Sequence, residues 1–211
     1  NNVQLWLEQG QLRYRAPRES LSDELLSAMR GQREQLARAL GRGRRTSTAL
    51  FPLSCNQQSL WMLHQLAPES AAYNVAAACR IRGRLDRQAM IKGLEAVTGR
   101  HQSLRTTYDF WPDGAGPCQY IHGDVEPQLP EIDASGWSEA ALREHIDRSV
   151  REPFDLAAGP VMRCRLFTLS EHEHVFVLVI HHIACDAASV ARFLNELFQT
   201  YDQQARGEAA E

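Results

Sequence analysis

Hydrophobic positions recur along this chain with two different periods, and each period marks a different kind of element. The clearest stretch is VFVLVIHHIACDAAS, residues 175–189. Its first six residues are all apolar with no polar alternation, which predicts a strand buried on both faces. After it, Val190, Phe193, Leu194, Leu197 and Phe198 repeat at helical spacing, so a helix is expected over 190–201.

Upstream the pattern is more varied. Val3, Leu5 and Leu7 alternate with Gln4, Trp6 and Glu8, and Leu12 and Tyr14 resume the alternation after Gly10, which predicts a hairpin ended by Pro17. Ser22 is placed to cap a helix with Asp23 and Glu24 in its first turn. Leu25, Leu26 and Met29 form its apolar face, Gly31 interrupts it, and Leu36 and Leu40 resume it. GRGRRTSTA, residues 41–49, has no periodicity and reads as a linker between a unit at 1–40 and a domain at 50–211.

In that domain an amphipathic helix is expected over 56–66 with Trp61 as a core anchor, and a strand over 79–84. Leu85 and Asp86 open a helix whose stripe is Met90, Ile91, Leu94 and Val97. A turn at 111–116, a strand at 119–122 and a helix over 138–150 follow. Phe154, Leu156 and Val161 are core positions leading into a further strand. His145, His172 and His174 lie in polar contexts, are expected to be exposed, and are given no role.

Composition narrows the class. A chain of 211 residues that is 44% hydrophobic and 23% charged suits a globular protein with one good core plus something small, or with two modest domains. Its longest apolar run is far short of a membrane span and nothing resembles a signal peptide, so a cytoplasmic location without membrane attachment is expected. The five cysteines are scattered without a CxxC and read as reduced thiols, Cys185 as packing rather than nucleophile. The net charge of −3 conceals an asymmetry, since residues 1–45 carry nine arginines against five acids and the remainder is acidic. Acids interleaved among those arginines leave no dense basic stripe, which argues against nucleic acid.

Candidate chemistry gathers where the buried strand ends. Side chains alternate along a strand, so His181 and His182 point to opposite faces and only one enters a given cavity. Two such histidines cannot readily converge on one ion, and no third ligand lies at a zinc-like spacing, so no metal is expected. Two readings remain for the local pattern: one imidazole aimed into a cleft with Asp186 fixing the turn, or ordinary strand-end residues with Asp186 capping the next helix.

Four motifs then carry a resemblance. HHIACDAAS is similar to the HHxxxDG signature of the condensation domains of nonribosomal peptide synthetases, which share the chloramphenicol-acetyltransferase-like fold; Ala187 stands where the family has glycine. The stretch 50–75, with Gln57, Gln58, Leu60, Trp61 and Leu63, resembles the family's opening motif, in which a proline turn leads into a helix. RHQSLRTTY, 100–108, resembles RHxxLRTxF with Tyr108 for phenylalanine, and the stretch 152–169 resembles FDLxxGPLxR. Residues 1–40 resemble TubC-type N-terminal docking domains without their first helix.

The resemblance implies an α+β architecture, a small β-hairpin and helix docking domain followed by one acetyltransferase-like lobe of mixed sheet and flanking helices. It implies amide-bond formation between a donor acyl or peptidyl thioester and an acceptor aminoacyl thioester. Both ride on the 4'-phosphopantetheine of carrier proteins, and no cofactor is bound directly. His182 takes the catalytic place, as proton acceptor or as positioning group, with His181, Asp186, Ala187 and Ser189 in support. An unpaired buried guanidinium is costly, so Arg105 is expected to pair with Asp186, with Arg100 as second choice. A glycine at 187 would serve a positive φ or a close approach, and either would make Ala187 unfavourable.

Expected partners are the two carrier proteins, a C-terminal second lobe, and the C-terminal docking peptide of an upstream subunit. Arg13, Arg15, Arg18 and Arg33, with Trp6 and Tyr14, are candidate contacts for an acidic peptide added at a strand edge. So small a docking unit is expected to need a partner or a second copy of itself, as a homodimer. The chain opens without methionine and stops where the family continues, so it is expected to be a fragment, inactive in condensation by itself. Two other readings stand beside this one: a fragment that only recognises a docking peptide, and an acyltransferase using a coenzyme A thioester, which shares HxxxDG.

Overall fold

The structure is a computed structural model that describes residues 4–8, 11–15, 49–111, 114, 116–123 and 125–206. It divides into two compact units, 1–46 with 110–116 and 47–109 with 117–211.

In the first unit, β1 (Gln4–Glu8) pairs antiparallel with β2 (Gln11–Arg15), setting Trp6 opposite Arg13, Leu5 opposite Tyr14 and Gln4 opposite Arg15. The expected hairpin is formed. The helical pattern at 22–40, with Arg18 and Arg33, lies outside the described residues. In the loop assigned to this unit, the Trp111 N–H donates to the Gly116 carbonyl at 2.7 Å.

The second unit is built on a four-stranded mixed sheet in the order β4-β9-β8-β7, comprising β4 (Asn74–Arg82), β7 (Glu131–Asp133), β8 (Met162–Ser170) and β9 (Glu173–His181). β9 runs antiparallel to both neighbours, and β7 lies parallel to β8. As the unbroken apolar run requires, β9 is buried on both faces. Phe176, Leu178 and Ile180 join Met90, Leu94 and Val97 of α2 (Arg87–Arg100) and Val190, Phe193 and Leu197 of α4 (Ala187–Ala205) in one core. Val175, Val177 and Val179 join a second core with Trp61 of α1 (Cys55–Leu66), Leu142 of α3 (Glu139–Arg151), Tyr108, Phe154 and Leu156.

Each helix begins where a side chain can satisfy its free N–H groups: Ser54 with Gln57 in a capping box on α1, Asp86 on α2, Ser138 on α3 and Asp186 on α4. α2 and α4 approach closely at Gly93, where a Cβ would lie 3.2 Å from Leu197 Cδ1.

Several elements differ from the sequence pattern. β3 (Ala49–Pro52) begins inside the expected linker and occupies the expected proline turn. It pairs with β6 (Pro117–Ile121) in a second sheet ordered β3-β6-β5, with β5 (Thr106–Phe110) at its other side. The proline is tolerated because β3 is an edge strand. β4 starts five residues before the expected 79, since pairing along the whole of β9 overrides the weak strand preference of Ala76, Ala77 and Ala78. β7, only three residues long, had no signal of its own. His174, expected to be exposed, is buried, because the opposite position on β8 is Thr168, whose Oγ1 lies 3.3 Å from His174 Nδ1.

Candidate functional site

β9 delivers His181 as its last residue and His182 as the first residue of the turn into α4. The two imidazoles sit in opposite environments. His181 is 2% exposed and its N–H donates to the Val161 carbonyl at 2.9 Å. Its ring lies among His64 (centroids 6.0 Å apart), Phe154 (6.1 Å) and Tyr73 (6.4 Å). Nδ1 accepts the N–H of Ile183 at 3.1 Å, which requires an unprotonated Nδ1. Burial, then the neighbouring His64 and His182, pushes the His181 pKa down to about 4. His181 is therefore a neutral acceptor that shapes the turn.

His182 is exposed. Its main-chain N–H donates to the Tyr73 carbonyl at 2.8 Å, and Nδ1 lies 2.7 Å from the Cys185 carbonyl. A carbonyl only accepts, so Nδ1 carries the proton and in the neutral ring Nε2 keeps its lone pair. That is the tautomer of a proton acceptor, set by the turn's own backbone.

Asp186 finishes the turn. Its Oδ1 accepts the Ser189 N–H at 2.7 Å and the Ser189 hydroxyl at 2.6 Å. These bonds hold its carboxyl below the usual carboxylate range. Ser189 thus lies beside Asp186, which caps α4 and at the same time ends the turn. Ala187 is the exposed first residue of α4 and takes a helical backbone, so no positive φ is required there. Of the two reasons for a glycine at 187, only close approach remains. Cys185 is half-buried with its thiol pushed up to about 12, chiefly by burial, which keeps it protonated and out of nucleophilic chemistry.

The expected ion pair between Arg105 and Asp186 is not formed. Arg105 ends a 3₁₀ turn (Gln102–Arg105), where its guanidinium donates to the His122 carbonyl while its own carbonyl accepts the His122 N–H at 2.9 Å. Asp186 instead accepts from Ser189 through Oδ1. Arg100, the second choice, pairs with Glu196 of α4 at 3.2 Å, and His101 Nε2 lies 2.7 Å from the same carboxylate oxygen. Arg100 and His101 thus brace α4 from the side.

Tyr73, Asn74 and His64 were missed by sequence reasoning. Asn74 stands opposite His181 in the sheet register, and its Nδ2 donates to the carbonyls of Val150 (2.7 Å) and Glu152 (2.9 Å), closing the end of α3. The signal was the alternation of Val75, Ala77, Cys79 and Ile81 with Asn74, Ala76, Ala78 and Arg80, which marks the strand from its true start. Burial lowers the pKa of His64, with Asp155 opposing. Among the described residues no group of His, Cys, Asp or Glu is arranged to hold a metal, and no helix is long and apolar enough to cross a membrane.

Residues 48–211 match the condensation-domain family, and residues 1–40 match the TubC N-terminal docking domain. The chain belongs to the condensation-domain family, with a TubC-type docking domain at its start. It is 38% identical over 156 residues to the chondramide synthase of Chondromyces crocatus, covering 72% of this chain and 4% of that protein. It is 38% identical over 166 residues to an isonitrile lipopeptide synthase of Mycobacterium tuberculosis, covering 76% and 6%. The chain therefore spans a few per cent of the length of these curated relatives. Among solved structures, the starter condensation domain of rhizomide synthetase superposes with a TM-score of 0.71 at 22% identity, over 77% of this chain and 40% of that one. The X-domain from teicoplanin biosynthesis, solved with OxyB, matches with a TM-score of 0.69 at 32% identity, over 80% and 35%.

Proposed function

We propose that this chain supplies the docking unit (1–40), the linker (41–49) and the first lobe (50–211) of a condensation domain that joins a carrier-bound acyl or peptidyl donor to a carrier-bound aminoacyl acceptor, with His182 meeting the reacting amine. The observation that carries this reading is the orientation of His182. Nδ1–H is spent on the Cys185 carbonyl, and the ring is exposed at the end of a strand buried on both faces, which leaves Nε2 as the nitrogen that holds the lone pair of the neutral ring.

The chemistry follows from that lone pair. The acceptor amine attacks the donor thioester carbon, the C–N bond forms, and the carbonyl π electrons move to oxygen. The proton leaving the amine nitrogen goes to His182 Nε2. Collapse of the tetrahedral intermediate re-forms the carbonyl and breaks the C–S bond, and the departing pantetheine sulfur takes the proton back from the imidazolium. Holding both thioesters on carrier arms supplies much of the rate by raising effective concentration. His181, Asp186 and Ser189 shape the turn, Arg105 and Arg100 brace the elements around it, and Ala187 lines the approach. His182 is open to solvent on this lobe, so the second lobe is assigned the opposite wall and the lobe alone is inactive in condensation.

The hairpin is assigned the recognition of an acidic docking peptide from an upstream subunit, as an added strand. The pairing of Trp6 with Arg13, and the place of Arg15 and Tyr14 along β2, support this by putting cationic and aromatic residues together on a two-stranded sheet. Arg18 and Arg33 belong to the same assignment by charge.

The test loads donor and acceptor carrier proteins, adds the full-length protein, and follows dipeptidyl product by intact-protein mass spectrometry beside His182→Ala. Product from the parent and a rate reduced at least about a hundredfold in the variant are expected. No product from a parent with loaded, docked carriers would overturn the enzymatic reading.

A further inference from the structure

The turn from His182 to Cys185 is held by a contact that neither histidine makes. Ile183, at its centre, is 4% exposed, so its main-chain polar groups need partners within the protein. The N–H has His181 Nδ1. The carbonyl has the hydroxyl of Tyr108, 3.4 Å away, from a side chain that is itself 1% exposed. Tyr108 is the position at which RHQSLRTTY carries a hydroxyl in place of a bare phenyl ring.

The side chain of Gln57 is close enough to that hydroxyl to favour the ionised phenol, against the larger effect of burial. Gln57 Oε1 already accepts the Ser54 N–H at 2.9 Å in the capping box of α1, so its amide N–H₂ is the group left to face the phenol oxygen. The Tyr108 O–H donates to the Ile183 carbonyl. Burial raises the pKa of the phenol, so it remains the O–H donor this bond needs.

We propose that Tyr108 is a positioning residue for His182: by fixing the Ile183 carbonyl it sets the direction of the adjoining turn, and so the distance from His182 Nδ1 to the Cys185 carbonyl. This rests on the reading of His182 as the proton acceptor. It adds that the acceptor tautomer depends on a hydroxyl supplied by β5. Without the hydroxyl, the buried Ile183 carbonyl loses its partner and the turn shifts to find another. Nδ1–H then loses its fixed acceptor, and the neutral imidazole divides between two tautomers.

The test is Tyr108→Phe in the full-length protein, which keeps the ring and its packing. Side-chain ¹⁵N shifts of His182 report the tautomer without any catalytic assay. The parent is expected to show one protonated Nδ1 and one unprotonated Nε2, and the variant two partly averaged nitrogens. Single-turnover condensation is expected to slow about tenfold in the variant, with half-saturation by the acceptor carrier unchanged within about twofold. His182 nitrogens in Tyr108→Phe that match the parent's would overturn the proposal, whatever the rate. If the parent itself makes no product, the enzymatic reading fails while the nitrogen shifts still decide this one. Gln57→Met, which removes the amide near the hydroxyl and leaves the tyrosine in place, carries the same readouts, expected shift and overturning result if Tyr108→Phe does not fold.

Discussion

His181 Nδ1 accepts the N–H of Ile183 at 3.1 Å, so the first histidine of the pair is tied to the turn that carries the second. A proton on that nitrogen would break the bond. Its pKa, near 4 in the folded protein, lies below the ordinary 6.5, so between these values the unfolded chain binds a proton that the folded chain does not. This contribution to stability is complete above about pH 6.5 and is lost as pH falls toward 4. Lowering the pH from 7 to 5 is expected to cost up to about 2 kcal/mol through this group. His181→Asn keeps an acceptor near the Nδ1 position and removes the titration. Urea unfolding at both pH values is expected to show a smaller difference in the variant than in the parent.

Asp186 acts through Ser189, and the cap uses one carboxylate oxygen for both bonds. Asp186→Asn keeps an oxygen acceptor at that place and is expected to melt within a few degrees of the parent, whereas Asp186→Ala frees the first turn of α4 and melts lower. Condensation follows the same order, because the cap ends the turn that starts at His182. Thermal melts and single-turnover rates on the two variants check this together.

Gly159 has φ +62°, and a Cβ built on it would lie 2.7 Å from Thr107 Cγ2. Thr107 Oγ1 is itself 2.8 Å from His122 Nε2, so it cannot swing away without breaking that contact. Gly159→Ala is expected to destabilise by on the order of 2 kcal/mol or more from the backbone and the clash combined. Chemical denaturation measures it, and a change below about 0.5 kcal/mol would show that the segment yields freely.

The main elements of the fold are legible in the hydrophobic pattern alone. The apolar run at 175–180 marks the central strand because a strand covered on both faces leaves no room for polar alternation, and Met90, Leu94 and Val97 mark α2 because a helix packed on a sheet must repeat near 3.6 residues. Short strands are not legible in this way. β3 and β7 hold together by pairing with β6 and β8, and a three- or four-residue segment carries too little pattern to announce that. The burial of His174 depends on what stands opposite it on β8, a fact absent from its own neighbourhood in the chain. Arg105 and Asp186 match by charge alone, yet each has nearer hydrogen-bond partners, the His122 carbonyl and Ser189. The direction of the His182 ring rests on the Cys185 carbonyl, and no residue type signals a carbonyl's orientation.

With chemistry assigned to His182 and shape to His181, the most direct measurement compares His182→Ala with His181→Asn in the full-length protein, by thermal melting and by single-turnover condensation between loaded carriers. His182→Ala should melt within about 2 °C of the parent and lose at least about a hundredfold in rate. His181→Asn should melt lower, having lost its ring contacts with His64, Phe154 and Tyr73, and keep its rate within about tenfold. A His182→Ala protein that condenses at the parent rate, or a stable His181→Asn protein that has lost the reaction, would contradict this division of roles.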